Sequence, residues 1–547
     1  MSLFKTLYLS ILTLCHFRLR QILYLLKDRF FRQFGARLRY GSAKISKLLP
    51  LPVRFFCDDL PPFVFTNSDG SVSIEIFGVN FIWSEGERWY FDAKDGLRPE
   101  TLYYLEFLYK LLKSGKEKLA LKIGLDFLRQ HKKAAHPHYS AYTSARRLIV
   151  LLLLHQSADD EDKRTLESAI YAHANHIFKN LEYHLSANHL FKCAKGLLFA
   201  GLFVHHPESY LWRYRAVQTL KNEVNRQILP DGCHYERTFT YHCAVMEDLL
   251  DIESALATTR SFPELHALVK MKLLEMAGFL ARCLHPDGTM PLFGDTAYGL
   301  APTPQFLLSI VNERFKTDIK TPDEDTLDFS HSGYYGVRFK NGTFLIVNAG
   351  RMGAPDQPGH AHCDLFSFEF SLCGKRLIVD TGVYDYTAGR TRDYVRSTAA
   401  HNVAQIDSFE QSHFWASHRF ASLAHPRAAK TTANKKEWHF SAALLLQGKG
   451  NTWLRQLSVT PVNFWLSDEI RPKTRFLSRL HFHPESTVKE GSTLSIMHKN
   501  IKIENSSVEG ILKQTSFYEQ FFGKPKQRLS IEFPSNGEPI WIRIGKD

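Results

Sequence analysis

The sequence predicts a multidomain α+β protein in which a helical domain precedes an antiparallel β-sandwich. Three observations carry this. Between Pro99 and His285 apolar residues recur at i, i+3, i+4 and i+7, the period of an amphipathic helix. After His285-Pro-Asp-Gly the texture changes to short alternating runs separated by turn residues, as in a sandwich of antiparallel strands. The chain has 547 residues, more than one compact domain usually holds, so two or three are expected.

Residues 1–90 are expected to hold an N-terminal amphipathic helix and a small mixed α/β region. The apolar run from Thr6 to Phe17 is too short to span a bilayer. Arg18 and Arg20 interrupt it, and no clear small-x-small cleavage site follows. A helix that packs on the body or lies on a membrane surface fits this pattern, with a signal peptide as the alternative. SVSIEIFGVNFIW, from Ser71, alternates with period two and reads as a hairpin. Residues 91–310 form the helical domain, with stretches such as SARRLIVLLLLHQ, LFKCAKGLLFAGLFV and LHALVKMKLLEMAGFLARCL joined by short loops, as in antiparallel helical hairpins. Residues 311–547 form the β domain, with GYYGVRFKNGTFLIVNAG, FSFEFSLCGKRLIVDTG and WLRQLSVTPVNFWLSDEI among its strands.

A hydrophobic content of 44% and a charged content of 23% exclude a disordered or membrane-embedded chain. The formal charge of +13 favours polyanionic partners through long-range attraction. Zinc-finger spacing and RNP-like motifs are missing, which makes nucleic acid the weakest of these partners. Acidic polysaccharide and anionic membrane remain. The eight cysteines are scattered without CxxC spacing and are expected to be free thiols.

Four clusters bear chemistry. GHAHCDLFSFEF places His360 and His362 two apart, just before a strand. In an extended segment such residues point to the same side. Asp380 follows in IVDTG and His401 in RSTAAHN. A carboxylate and two imidazoles are ordinary zinc ligands; the plain alternative is unrelated histidines in a chain with 26 of them. SANHLFKCAKG puts Asn188 and His189 at a helix start, where Asn188 also reads as a simple N-cap. PDGCHYERTFTYHCAV offers Glu236, Arg237, Tyr241 and His242, with packing as the alternative role for the tyrosine. PDGTMPLFGDTAYG, with Asp287 and Asp295, reads as a turn between domains.

Taken in order, Asn-His, DG-x-x-x-E-x-x-x-x-Y-H, PDG-x-x-P-x-x-GD, H-x-H-x-D-x-x-SFE, VDTG and R-x-T-x-x-HN resemble the heparinase II/III superfamily, from about Trp89 to Trp415. The resemblance implies an incomplete (α/α) toroid followed by an antiparallel β-sandwich, and a polysaccharide lyase cleaving a uronate-containing polysaccharide by β-elimination. It implies that Asn188 neutralises the uronate carboxylate, that Tyr241 is the catalytic tyrosine and that His360 faces the substrate. His189, Glu236 and a tyrosine after VDTG, either Tyr384 or Tyr386, are expected at the substrate, with Tyr386 placed in the binding set. His362, Asp380 and His401 resemble a triad for one divalent metal ion, zinc, with a structural role. Cys363 stands where a small residue is usual.

Elimination requires donors that stabilise the enolate-like charge on the carboxylate, a base for the C5 proton and an acid for the leaving O4. An ordinary phenol, with a pKa near ~10, is a poor base at neutral pH. The site is therefore expected to lower the pKa of Tyr241. One rival is a glycoside hydrolase on the same toroid, for which Asp231, Glu236 and Asp287 are available. The other is a non-catalytic polysaccharide-binding or assembly protein. Heparan sulfate, heparosan, alginate and bacterial exopolysaccharides are all possible substrates. The expected location is bacterial, cytoplasmic or peripheral at the cell envelope, with the periplasm as the alternative.

Overall fold

The computed structural model describes residues 3–34, 45, 47–51, 60–89, 96–131, 140–427, 429–446, 448–489, 493–496, 499–506 and 512–545. The N-terminal segment is two helices, α1 (Leu3–Cys15) and α2 (Leu19–Phe34), where one was expected. The chain breaks between them at His16–Arg18. Both lie against the body. Trp415 Nε1 donates to Thr13 Oγ1 at 3.2 Å, and Gln21 Nε2 donates to the Asp356 carbonyl at 3.0 Å. No described helix is long and apolar enough to cross a membrane. The predicted hairpin pairs Val72–Ile76 with Val79–Trp83, and a third strand, Phe63–Thr66, joins it. Its turn residues Phe77 and Gly78 both have positive φ, as the twist of a two-residue hairpin demands. Trp83 and Trp89 both donate their indole N–H to Asp126 Oδ2, tying this region to the helical domain.

The helical domain begins with α3 (Leu97–Tyr103), α4 (Leu108–Lys113) and α5 (Glu117–Gln130). Hairpins follow from α6 (Ala141–Gln156), α7 (Asp160–Lys179), α8 (Ala187–Phe203), α9 (Ser209–Gln227), α10 (Phe239–Thr259), α11 (Pro263–Cys283) and α12 (Pro304–Phe315). Local signals start several of them. The side chains of Ser140, Asp159, Thr238 and Thr303 cap α6, α7, α10 and α12, each satisfying backbone N–H groups that the first turn leaves open. Helix α8 is buried almost all round. It approaches α6 so closely that a Cβ at Gly196 would stand 2.8 Å from the Ala145 Cα.

The change to β structure falls between Phe315 and Asp325, so α12 runs across the expected boundary at residue 310. The first sheet is a five-stranded antiparallel meander from Asp325–Phe329 to Lys375–Ile378. Its strand Phe344–Asn348 is buried on both faces. Phe344 and Ile346 enter the helical-domain core, while Leu345 and Val347 enter the sandwich core with Phe368, Phe370, Trp453 and Phe464. The run FLIV is therefore continuously apolar, because both of its faces are covered. An eight-stranded and a four-stranded antiparallel sheet complete the sandwich. In Trp438–Leu446, burial alternates strictly. The seven described cysteines are all free.

Candidate active site

The site forms where the N-terminal ends of α8 and α10 meet the loops of the five-stranded sheet. Backbone strain helps to present it: Ser186, Ala187 and Arg237 all have positive φ, which for residues with a Cβ costs of order 1–3 kcal/mol each and needs support from the surroundings. Asn188 is not the cap of α8; it lies inside the first turn, after Ser186. Its side chain and its backbone N–H both donate to Glu236 Oε1, at 3.0 and 3.1 Å. His189 holds Glu182 Oε2 at 2.8 Å and packs on Tyr142, with ring centroids 4.4 Å apart. Burial works against the charged form of both partners, but their pairing outweighs it. Glu182 is held down at about 2 and His189 is raised above its usual value.

Tyr241 lies in the first turn of α10 beneath the Thr238 cap. Its ring packs on His360 with centroids 4.0 Å apart, and its hydroxyl meets that of Tyr386 at 3.1 Å. Of the two tyrosines after VDTG, it is therefore Tyr386 whose hydroxyl reaches Tyr241. Burial, then Tyr386 and Asp295, push the Tyr241 phenol well above its ordinary value. The expected lowering is thus overturned: neighbouring acidic oxygens and desolvation both favour the protonated phenol.

His360 and His362 converge on one carboxylate, His360 from a turn rather than from an extended segment. His360 Nδ1 donates to Asp295 Oδ2 and His362 Nε2 to Asp295 Oδ1, each at 2.8 Å. Arg392, from the short helix α13 (Arg390–Arg396), grips both oxygens of the same carboxylate. Asp295, read from the sequence as a turn residue, is instead the buried hub of the site. Gly294 makes this possible with φ +54°: a Cβ there would come within 2.8 Å of the His360 carbonyl, which also accepts from Asp295 N at 3.0 Å. His360 Nε2 faces Glu236 Oε2 at 3.5 Å.

Among the described residues, Asp295, His360 and His418 form a group of three whose ligand atoms lie within 4.8 Å of one another, a geometry that could hold a metal ion. The predicted set His362, Asp380 and His401 is adjacent but does not converge in this way. Asp380 instead stands behind His401, accepting from His401 Nδ1 at 2.5 Å, from Ser367 Oγ at 2.5 Å and from Thr381 N at 2.6 Å. The His362 and His401 rings are 5.4 Å apart. His362 Nδ1 and His401 Nε2 are both buried without a hydrogen-bond partner.

The structure thus brings Asn188, Glu236, Tyr241, His360 and Tyr386 together in one linked cluster, with His189 one residue along α8. Sequence reasoning missed Asp295 as a functional residue, and also Arg392 and His418. The His418 ring lies 5.4 Å from that of His360 and 4.9 Å from that of Tyr386. The GD that ends PDG-x-x-P-x-x-GD was the available signal for Asp295, whereas Arg392 and His418 carry none that spacing could reveal. The other acidic candidates are engaged elsewhere. Asp231 accepts backbone N–H bonds from Cys233 and Ser332, and Asp287 caps its own turn.

Two family models match the chain: Heparinase II/III N-terminus over residues 143–303 and Heparinase II/III-like, C-terminal over residues 321–540. A heparin-sulfate lyase of Pedobacter heparinus is 25% identical over 251 residues, 42% of this chain and 38% of the relative. A heparin-sulfate lyase of Bacteroides stercoris is 26% identical over 263 residues, 44% of this chain and 38% of the relative. The match thus spans under two-fifths of the length of these curated relatives. A solved heparinase III structure superimposes with a TM-score of 0.69 at 16% identity, covering 83% of this chain and 78% of the other. A chondroitin AC lyase of Streptomyces coelicolor, at 8% identity, covers 81% and 74% with a TM-score of 0.52. These structures share the fold, helical toroid and sandwich alike. With consecutive family models on the two domains and the motif residues gathered at their junction, the chain belongs to the heparinase II/III superfamily.

Proposed function

We propose that this protein is a polysaccharide lyase that cleaves a uronate-containing acidic glycan of the heparan-sulfate class by β-elimination at the envelope of a bacterial cell. The carrying observation is the linked cluster: Asn188 on Glu236, Tyr241 stacked on His360 and bonded to Tyr386, and His360 bonded to Asp295. The similar proteins, heparin-sulfate lyases and a chondroitin AC lyase, support the same reaction class, and the charge of +13 suits a polyanion.

In this reading Asn188 Nδ2 and the His189 cation receive the uronate carboxylate and stabilise the charge that builds there as C5 loses its proton. Preorganised donors of this kind contribute on the order of 3 kcal/mol each. His360 Nε2 takes the C5 proton. The resulting imidazolium is stabilised through Nδ1 by Asp295, whose buried charge Arg392 balances. Tyr241 keeps its proton in the free protein and so serves as the acid that protonates the departing O4. Tyr386 holds the phenol in place. The division of labour follows from the direction of the Tyr241 shift, which suits a donor rather than a base.

A hydrolase is disfavoured by the state of its carboxylates. That mechanism needs one free acid and one free base at opposite sides of the bond. Here Glu236 is bonded to Asn188 and Asp295 is neutralised by Arg392.

A divalent ion, zinc, is assigned in this reading to His362 and His401. Each ring already donates from one nitrogen to a carboxylate, Asp295 or Asp380, and its other nitrogen is buried without a hydrogen-bond partner; ligating histidines are characteristically oriented in this way. Burial and Asp380 push the neighbouring Asp364 carboxyl up to about 7, a cost that an adjacent cation would relieve. The alternative group on Asp295 is disfavoured because the Arg392 guanidinium already occupies both oxygens. When bound, the ion would fasten the sandwich loops beneath the cleft. Purified protein should contain about one equivalent of zinc. His362→Ala or His401→Ala should remove it and lower Tm, whereas His418→Ala should retain it. Loss of metal in the His418 variant alone would move the ion to Asp295.

The reaction itself is tested on a panel of uronate polymers, heparan sulfate first, by the ultraviolet absorbance of the unsaturated uronate product. New reducing ends without that absorbance would identify a hydrolase instead.

A further inference from the structure

Helix α1 carries apolar residues over most of its circumference, with Thr6, Ser10 and Thr13 sharing one narrow arc, yet only one side is covered. Leu9 and Thr13 are buried against the strand Arg419–Ser422. At 100° per residue the opposite arc carries Phe4, Leu7, Tyr8, Ile11 and Leu14, and these are exposed, Phe4 by 85% and Tyr8 by 62%.

Helix α2 continues the pattern with a different polar border. Leu19, Leu23, Leu26 and Phe30 occupy one arc about 60° wide, and all are exposed, Leu19 by 72%. Arg18 and Arg29 flank this stripe on one side, and Arg20 and Lys27 on the other. The buried side, opposite, holds Gln21, with Tyr24 stacked on Tyr183 at 4.8 Å. From residue 1 to 34 the sequence has six Lys or Arg and a single acid, Asp28.

One of the cations bordering α2, Arg20, reaches a pocket in the body. A cavity of about 270 Å³ is lined by Arg20, Tyr183, Arg215, Gln218, Asn222 and Glu223. Arg20 sits over the Tyr183 ring at 3.5 Å. Arg215 Nε is buried without a hydrogen-bond partner. The acid in the lining, Glu223, is already held by Arg226 at 3.0 Å and Gln227 at 2.7 Å. Burial, and then Arg215, lower the pKa of Lys27. The field beside the apolar stripe is thus positive: Arg18 pairs with Asp356 at 3.6 Å, and the basic residues of the two helices outnumber their one acid, Asp28.

We infer that α1 and α2 form a membrane-docking face that lies in the interface of an anionic bilayer, with Phe4, Leu7, Ile11, Leu23 and Leu26 among the acyl chains and Arg20 and Arg215 at the lipid phosphates. An apolar stripe with basic residues on both borders is the arrangement of helices that lie in a membrane surface, where long basic side chains lay their stems along the apolar layer and keep the charge at the headgroups. Neither helix is long and apolar enough to cross. The occupant is lipid rather than a second copy of this chain, because a copy would bring the same positive border against this one.

The test is flotation of the full chain with vesicles. Vesicles of phosphatidylcholine with one-third phosphatidylglycerol should carry the protein to the top of the gradient, and pure phosphatidylcholine should bind at least tenfold less. Leu23→Glu with Leu26→Glu, and separately Ile11→Glu, should each lower binding at least tenfold with unchanged Tm, because these side chains face outward. Arg20→Gln and Arg215→Gln should each lower it about fivefold, the worth of one basic residue near an anionic surface. Cleavage of soluble glycan should be unaffected in all four variants. Failure of the wild-type chain to float with either vesicle overturns the inference without using a variant. So does equal binding to both vesicles, or a concentration-dependent dimer that the leucine variants abolish.

Discussion

Tyr241 separates catalyst from scaffold by one oxygen atom. Tyr241→Phe keeps the ring that packs on His360 and removes the hydroxyl that meets Tyr386. As the proposed acid, its loss should lower kcat by about 10²-fold or more and leave KM and Tm nearly unchanged, since the interaction matters mainly in the transition state. Near-normal turnover in a folded variant would remove Tyr241 from the mechanism. His189 offers a pH test. Its folded pKa is raised, after burial is overcome, by Glu182, so its stabilising contribution is complete below the unfolded value of ~6.5 and is lost as pH rises through the raised value. Glu182, held at about 2, contributes above its ordinary ~4.3 and loses that contribution as pH falls toward 2. The pair is therefore fully charged between these limits. KM for a uronate polymer should rise on the alkaline side of the raised His189 value, and His189→Gln should flatten that limb while keeping a higher KM throughout. An unchanged alkaline limb in the variant would exclude His189 from carboxylate binding.

At the scale of elements, three loops from distant parts of the chain are fastened at one carboxylate. Asp295 lies after α11, His360 and His362 precede the strand Phe368–Leu372, and Arg392 lies on α13. The Asp295–Arg392 pair is fully buried, so Arg392→Met should leave an uncompensated charge and cost about 3–5 kcal/mol, whereas adding Asp295→Asn should recover a large part of that loss. Additive losses in chemical denaturation would show that the two side chains act separately. The elements themselves were largely legible. Helical periodicity marked the hairpins from α5 to α11, and alternation marked Trp438–Leu446 and the hairpin at Phe77-Gly78. What periodicity could not give was the partner of each polar residue. Asn188 resembles a cap in any sequence window, and only the fold brings Glu236 to it. Asp295 follows a glycine in an ordinary turn pattern, and its burial arises from three segments that meet only in the folded chain. The break between α1 and α2 was hidden because neither a proline nor a glycine marks the turn at His16–Arg18.

At the scale of the whole molecule, the two domains share the five-stranded sheet, whose alternate residues serve two different cores, Phe344 and Ile346 on one side and Leu345 and Val347 on the other. That shared sheet joins the two domains where His360, from the sandwich loops, packs on Tyr241, from the toroid. The texture change near His285 was visible in the sequence. The double burial was visible as well, in the unbroken run FLIV, but the identity of the covering layers was not, because an apolar run does not say what lies on each face. The net charge of +13 acts over the same scale. If the substrate is a polyanion, part of its attraction comes from basic residues outside the cleft, and these exposed charges are screened over roughly 8–10 Å near physiological ionic strength. The buried Asp295–Arg392 pair and the Glu182–His189 pair are screened much less, so chemistry and binding should separate under salt. Raising salt from about 50 mM to 500 mM should increase KM for a long acidic glycan severalfold while kcat holds steady, because association depends on the long-range field and the reacting groups do not. A short oligosaccharide of the same repeat should show a weaker dependence, since it reaches fewer of the outlying charges. Steady-state kinetics on both lengths measures this directly, and a KM flat in salt for the long polymer would point to a neutral glycan as the true substrate.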